Sequence, residues 1–290
     1  MPQPVAYLTS ANMLPDSSQR RKDGFEYDQS LQALAAPLKS EGFQLQPIAW
    51  DKPNVDWSQF RFAIIGTTWD YMDRPEQFME ALQHIDLQTE LLNPLEMVRW
   101  NLEKTYLEDL RDKGVHCIPT MWLDQLNFTE AQLVFKQLEA TDLVIKRQIG
   151  AGAQGQIRIQ PGQDFADISS KVMVQPFIPS IQSEGEYSFI FIDNQFSHAL
   201  VKTAKPGDYR IQSIYGGRET PVQPSTIDLN AAKSVLEVLD QSPLYARVDM
   251  VRDTFGRMFL MELELIEPFL YPVQGPQLGT LMAQALKKRR

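Results

Sequence analysis

Two runs near the carboxyl end constrain this chain most: YARVDMVR (245–252) and MFLMELEL (258–265), separated by a tight turn over Thr254–Arg257. In the second run apolar residues alternate with Glu, the period of a β-strand whose side chains point to opposite faces. Leu263 and Leu265 then face one way, Glu262 and Glu264 the other. A hairpin tip at Phe255-Gly256 sets Asp249 opposite Glu262 and Arg247 opposite Glu264; a slip of one residue would destroy that pairing. In the paired register three carboxylates and one arginine share a face. Carboxylates that close raise one another's pKa. A hard divalent cation removes the conflict, because Mg2+ takes oxygen ligands, usually one or two carboxylates plus phosphate oxygens. Taken alone, the strand fits a half-buried element with a wetted polar face equally well. With its partner strand it reads as half of a metal–phosphate site.

The chain has 290 residues, room for two or three domains. A net charge of −9 speaks against a surface that tracks nucleic-acid phosphates, so an anionic ligand needs a local basic pocket. Cys117 is the single cysteine, which excludes an internal disulfide and fits a reducing compartment. The start, MPQPVAYLTS, lacks the basic and apolar regions of a secretory signal, and no apolar run is long enough to span a bilayer. The expected setting is cytoplasmic, with neither a nucleic acid nor a membrane as partner; homo-oligomerisation is left open.

PVAYLT, FQLQPIAW and RFAIIGTTW read as strands, with helices through SLQALAAPLKSEG and PEQFMEALQHI. Such alternation predicts an open α/β sheet over residues 1–100. NPLEMVRWNLEKTYLEDLRDKG reads as one helix ending at Gly114. It leads into a central region, residues 101–174, where TDLVIKRQIGAGAQGQIRIQPG gives strand, glycine-rich loop, strand and turn. KVMVQPFIPSI (171–181) crosses into residues 175–290, which add two strands around Asp193–Gln195, a helix in DLNAAKSVLEVLD, the acidic hairpin, and a last helix in PQLGTLMAQALKKRR.

GAGAQG (150–155) matches G-x-G-x-x-G, but a dinucleotide fingerprint requires a helix directly afterwards, and IRIQPG is strand and turn. A strand–glycine loop–strand hairpin lies flat over nucleotide phosphates instead, with Gly150, Gly152 and Gly155 letting backbone N–H groups approach a polyanion. Lys146, at the end of the entering strand, reaches toward an α- or β-phosphate. A plain surface hairpin is the alternative, and no His-Arg-Asp or Asp-Phe-Gly motif supports a kinase. The extended VQPFIPSIQSEGEYSF offers backbone groups for a purine edge, with Glu186 for ribose hydroxyls; taken alone, Glu184 and Glu186 fit plain loop charges better, and only their place in the order lysine, glycine loop, linker, acid, acidic hairpin favours function.

VIKRQIGAGAQG, MVQPFIPSIQSEGEYSF, VKTAKPGDYRIQSIYGG, ARVDM and MELELIEP, in this order, resemble the motif series of ATP-grasp carboxylate–amine ligases, such as prokaryotic glutathione synthetases and ribosomal-protein glutamate ligases. That match spans roughly residues 100–290. TTWDY, LLNPLEMVRWNLEKTYL and ELELIEP extend a resemblance to the cycloserine-forming ATP-grasp ligases over nearly the whole chain. The resemblance implies an ATP-grasp fold: an N-terminal Rossmann-like pre-ATP-grasp domain of α/β class, an α+β lid, and a nucleotide- and metal-binding domain. It implies that Lys104 and Lys146 contact α- and β-phosphates, that Gln175, Phe177 and Ile178 hold adenine, and that Glu186 holds ribose, with Glu184 as competitor. Lys202, Arg210 and Arg247 would surround the γ-phosphate and the acyl phosphate made from it. Asp249, Glu262 and Glu264 would bind two Mg2+ (or Mn2+), Glu262 bridging; many relatives have Asn where Glu264 stands.

The implied activity is an ATP-dependent carboxylate–amine or intramolecular cyclising ligase acting on a small amino-acid-like substrate through an acyl phosphate. ADP and phosphate are released. A regulatory module that only binds ATP or ADP, and a phosphotransferase, are the alternatives. Thr68, Trp69 and Asp70 follow a sheet strand, where open α/β sheets bind ligands, and with the Gly216 and Gly217 amides they are the substrate candidates. Core packing for Trp69 and a helix cap for Asp70 explain those residues equally well. Gly66 stands where cycloserine-forming relatives often carry Arg, so that expected substrate anchor is missing. His84, His116 and His198 show no metal-ligand spacing and read as structural.

Overall fold

The computed structural model describes residues 2–150, 155–205 and 216–290. The first region alternates as β1 (Gln3–Thr9), α1 (Gly24–Ser40), β2 (Phe43–Ala49), β3 (Phe62–Ile65), α2 (Pro75–Asp86) and β4 (Glu90–Leu92). Its strands form an all-parallel sheet in the order β2-β1-β3-β4. Helices α3 (Leu95–Leu102) and α4 (Tyr106–Asp112) follow. Next come β5 (Met121–Leu123), α5 (Phe128–Gln137), β6 (Leu143–Arg147), β7 (Ile157–Ile159) and β8 (Val172–Pro176), whose strands form an antiparallel sheet in the order β5-β8-β6-β7. The remainder is α6 (Ser180–Ser183), β9 (Glu186–Ile192), β10 (Gln195–Thr203), β11 (Arg218–Val222), α7 (Thr226–Glu237), β12 (Tyr245–Arg252), β13 (Met258–Glu264) and α8 (Leu278–Lys288). Its strands form an antiparallel sheet in the order β11-β10-β9-β12-β13.

The sequence reading erred where local geometry overrode pattern. The single helix expected over 93–114 is broken at Glu103–Thr105, between α3 and α4. There the Lys104 amide donates to the Gln148 carbonyl, 2.9 Å away, rather than continuing a helical ladder. The hairpin tip is also longer than two residues. The Asp253 carboxylate accepts from the Phe255 and Arg257 amides at 2.9 and 2.7 Å, closing a loop between Arg252 and Met258. A bulge next to Asp249 restores the register, so that Asp249 faces Glu262 and Arg247 faces Glu264 as expected. β4, β5, α5 and β11 are elements beyond those expected from the sequence.

Two features hold the first and last sheets together. Helix α8 packs on α1, and Gly279 permits it: a Cβ there would lie 2.1 Å from the Ala33 carbonyl oxygen. Tyr245, 2% exposed on β12, sets its hydroxyl 2.9 Å from the Ile65 carbonyl and 2.8 Å from that of Ile266. One core therefore contains Val5, Leu38 and Phe62 together with Ile190, Tyr245 and Met282. Burying each large side chain of this kind stabilises the fold by roughly 1.5–3 kcal/mol. The consequence for function is positional: the TTWDY loop after β3 comes to lie beside the segment that leaves β13.

Candidate active site

β13 is an edge strand; its outer edge is met at Leu260 by the backbone of His116 and Ile118, and farther along, beside the two glutamates, by side chains. The Asn101 side-chain amide donates to the Leu263 carbonyl at 2.9 Å and accepts from the Leu265 amide at 3.0 Å. The Leu263 amide donates to the Tyr106 hydroxyl at 2.9 Å. Asn93 adds bonds to the carbonyls of Tyr245 and Leu265 and accepts from the Leu244 amide. Unpaired strand edges are prone to slip or to recruit other chains; here three side chains of LLNPLEMVRWNLEKTYL help fix the strand that presents Glu262 and Glu264.

The expected charged residues converge as a line of alternating sign. Lys104 pairs with Glu262. Arg247 bonds both Glu264 and Asp249, the latter at 2.9 Å. Lys202 pairs with Glu186, its neighbour across β9 and β10, and lies 3.3 Å from Asp249. Ser188 donates a further bond to Asp249. Burial opposes the charge on Asp249, but Arg247 and Lys202 outweigh it and hold its pKa down to about 2. Burial likewise opposes the Lys202 charge, and Asp249 and Glu186 outweigh it, so its pKa lies above the ordinary lysine value. Lys104 differs: burial dominates and pulls its pKa down to about 8.

Lys146 stands beside this line on the central sheet. Its ammonium donates to the Gln175 side-chain carbonyl at 3.1 Å, and burial lowers its pKa. Gln175 is itself buried and donates to the Thr120 hydroxyl at 2.9 Å. Phe177 follows, its amide bonded to the Asp142 carbonyl and its ring under Arg158, 3.6 Å from the guanidinium carbon. Ile178 begins the turn into α6, accepting from the Ile181 amide at 3.2 Å. The two ribose candidates separate. Glu186 is buried in the charge line, whereas Glu184 is held apart by Arg252 at 2.9 Å and by the Tyr187 hydroxyl at 2.5 Å. Gly150 shares a cavity with Lys104, Glu262 and Glu264, and Gly155 adopts φ +73°. Gly152 and Arg210 lie outside the described residues. Gly216 and Gly217 lead into β11, beside the strand that carries Lys202.

Of the substrate candidates, Asp70 is fully engaged: its carboxylate accepts from Ser10 at 2.6 Å, Trp50 at 2.7 Å and Arg74 at 2.6 Å. It makes no side-chain cap bond, so it works as a rivet between loops rather than as a helix cap. Trp69 donates to the Glu267 carbonyl at 3.0 Å and meets Phe269 edge-on. The Thr68 hydroxyl is buried with no partner among the described residues. Over Gly66 lies the Tyr7 ring; a Cβ at 66 would be 2.1 Å from it, so no larger side chain fits there.

Two residues escaped the sequence reading. Glu267 lines the same cavity as Lys104 and the two β13 glutamates and interacts with the Tyr71 hydroxyl. Burial, then the Glu264 charge, pushes its carboxyl up to about 8. Tyr271 lies against both Lys202 and Arg247. Glu267 carried a faint signal as the third carboxylate of MELELIEP; Tyr271 carried none.

Residues 5–93 match the family model of the D-cycloserine synthetase DcsG N-terminal domain. The chain is 27% identical to the cycloserine biosynthesis protein DcsG of Streptomyces lavendulae over 307 residues, covering 98% of each. A crystal structure of D-cycloserine synthetase DcsG superposes with a TM-score of 0.84 at 26% identity, over 99% of both chains. The ATP-grasp ligase PsnB, solved with a phosphomimetic variant of its minimal precursor, Mg and ADP, superposes at 0.67 and 13% identity, over 99% of this chain and 98% of that one. Over nearly its whole length the chain is thus similar to DcsG, and it shares its fold with ATP-grasp ligases. Its α/β architecture is the ATP-grasp fold. No helix among the described residues is long and apolar enough to cross a membrane.

Proposed function

We propose that this protein is an ATP-grasp ligase that activates a small amino-acid-like carboxylate as its acyl phosphate and passes the acyl group to an amine of a second molecule or of the same one. The observation that carries the reading is the alternating line Glu262–Lys104, Glu264–Arg247–Asp249–Lys202–Glu186, with Lys146 and Gln175 alongside. Similarity to DcsG and PsnB supports ATP as the phosphoryl donor and Mg2+ as the metal. Division into residues 1–100, 101–174 and 175–290 is part of the proposal.

The donor set fits a hard cation of one kind. Asp249, Glu262 and Glu264 offer only oxygen, yet among the described residues no three acidic, His or Cys side chains close into a metal cage. Each carboxylate is held by a cation of the protein instead. An ion that accepts one or two carboxylates and completes its shell from phosphate oxygens suits this arrangement; one that demands an all-protein cage does not. Two Mg2+, with Glu262 shared, is the count we propose; the ions would neutralise phosphate charge and polarise the transferred group.

Lys104 and Lys146 then bind α- and β-phosphate oxygens, Gln175, Phe177 and Ile178 the adenine edge, and Glu186 the ribose. Lys202, Arg247 and Arg210 receive the γ-phosphoryl group. The substrate carboxylate oxygen attacks the γ-phosphorus, its bond to the β–γ bridging oxygen breaks, and ADP leaves. Attack by the amine nitrogen on the acyl carbon expels phosphate, and the nitrogen gives up a proton. No protein nucleophile takes part; the residues position groups and stabilise charge. Trp69 and the Gly216 and Gly217 amides border the acceptor. Because Tyr7 covers Gly66, anchoring of a substrate carboxylate falls to groups other than residue 66.

The test is ADP release by the purified protein with Mg2+ and ATP, screened against amino acids, dipeptides, and ureido or aminooxy amino acids. Acceptor-dependent ADP with an amide or ring product is expected. A stable phosphorylated product would make the protein a phosphotransferase. Tight ATP binding without release under any acceptor would favour a regulatory module.

A further inference from the structure

Tyr271 adopts φ +47°, a left-handed backbone that bulky aromatic residues seldom occupy. Such conformations persist where the surroundings over-determine them, and they cluster at functional sites. The surroundings are specific here. The Tyr271 carbonyl accepts from the amides of Gln274 and Gly275 at 3.0 and 3.2 Å, and its ring meets Phe269 edge-on at 4.8 Å. Lys202 Nζ lies 5.9 Å from the ring centroid, and the Arg247 guanidinium carbon 5.6 Å. Arg247 also donates to the Phe269 carbonyl at 3.1 Å, so the cation and the ring hang from one segment.

Two like charges are thus gathered at one aromatic ring. Asp249 is the carboxylate they pair with in common, at 3.3 Å from Lys202 and 2.9 Å from Arg247, while Glu219, opposite Lys202 on β11, acts on both from farther away. On the ATP-dependent reading, on which this inference rests, Asp249 and Glu264 turn to metal and Glu186 to ribose. The three carboxylates paired directly with the two cations in the free protein then acquire other partners. The ring is uncharged, cannot coordinate metal, and stays.

We propose that Tyr271 is a positioning residue for phosphoryl transfer, whose ring keeps Lys202 and Arg247 side by side and aimed at the transferred group. Cation–π contacts of this kind, once water is excluded, change affinity by roughly tenfold or more. That effect falls on the state in which the carboxylates have let go and phosphoryl charge is greatest. The hydroxyl has no part in the argument; the ring face does.

The experiment uses the full chain with Mg2+ and compares AMPPNP, a ground-state probe, with ADP plus aluminium fluoride, a planar phosphoryl mimic, by calorimetry. Tyr271→Asn removes the ring while suiting the left-handed backbone. It should bind AMPPNP within about threefold of wild type, but the aluminium fluoride complex about tenfold or more weakly. Tyr271→Phe should match wild type with both probes. Pentafluorophenylalanine at 271 keeps the shape and reverses the ring quadrupole, so it tests the idea even if Tyr271→Asn does not fold; it should lose the mimic selectively. Equal losses for both probes, or none in either ring-altered protein, would overturn the inference. A wild-type protein that binds neither ADP nor AMPPNP with Mg2+ would sink the ATP-dependent reading, and this inference with it.

Discussion

His198 provides a sharp test of burial energetics beside the site. It sits on β10, 8% exposed, with its ring pressed over Gly275, where a Cβ would lie 2.0 Å from Nδ1. Burial lowers its pKa from 6.5 to about 4, against a smaller opposing effect of the Leu270 and Tyr271 backbone. Below 6.5 the unfolded chain takes up a proton that the folded chain refuses, so stability falls as pH drops from 6.5 to about 4 and levels off below. At pH 5.0 the loss is about 2 kcal/mol, from 1.5 pH units at ~1.4 kcal/mol each. Asp249, with its lowered pKa, contributes nothing in this window, because its stabilisation is lost only below the unfolded carboxylate value. Glu267 works in the opposite sense, so the wild-type pH profile alone decides nothing. The decisive comparison is His198→Gln against wild type in urea titrations at pH 7.5 and 5.0. At pH 7.5 the variant should be less stable, by roughly 1–3 kcal/mol of lost packing. At pH 5.0 its deficit should shrink by about 2 kcal/mol. A deficit that stays constant between the two pH values would refute the assignment.

Glu267→Gln should show the mirror image. Its raised carboxyl pKa adds stability that is fully present below 4.5 and lost as pH rises toward about 8. The variant should therefore gain roughly 3 kcal/mol on wild type between pH 5.0 and 7.5 in the same titrations. Glu262→Gln should abolish acceptor-dependent ADP release while the circular-dichroism spectrum stays that of the folded protein, with a lowered melting temperature because Lys104 loses its carboxylate partner; near-normal turnover would remove Glu262 from the metal assignment. Lys146→Ala should weaken ATP about ten- to a hundredfold, the worth of a charge-assisted contact of roughly 1.5–3 kcal/mol, and adenosine far less. Equal losses for the two ligands would place Lys146 away from the phosphates.

The pairing of Asp249 with Glu262 and of Arg247 with Glu264 was legible because a period of two fixes which side chains share a face. It was legible despite a wrong tip, since the bulge absorbed the error. Lys104 was legible only through resemblance. Helical periodicity ran straight through it, and the break that exposes it comes from a long-range bond to the Gln148 carbonyl, which no local pattern encodes. Helix α5 was missed although NFTE is a capping box, with Asn127 and Glu130 bonding each other's backbone amides. Asp70 looked free because its three partners, Ser10, Trp50 and Arg74, lie on separate segments that only the folded chain assembles. Glu267 and Tyr271 belong to the same class: their roles arise from what the β3 loop and β10 bring to them.

A protein of charge −9 that is to hold a polyanion must solve an electrostatic problem locally. Leaving Lys104, Lys202 and Arg247 bare in a buried cleft would cost several kcal/mol for each uncompensated ion. The chain avoids this by giving each cation a carboxylate, and the carboxylates are those the proposed function assigns to metal and ribose. Binding the metal–nucleotide pair then exchanges partners instead of adding charge: phosphates take the cations while the metal takes the carboxylates. Either ligand alone would satisfy one half of each ion pair and orphan the other in a low-dielectric site, at a cost that attraction to the newcomer must first offset. The like charges on β13 that first called for explanation are therefore balanced in both states, by lysine and arginine in the free protein and, on the proposed reading, by divalent cations in the loaded one. What does not exchange is neutral. Asn101 and Tyr106 keep β13 in register, and the Tyr271 ring keeps two cations together while their counterions change hands.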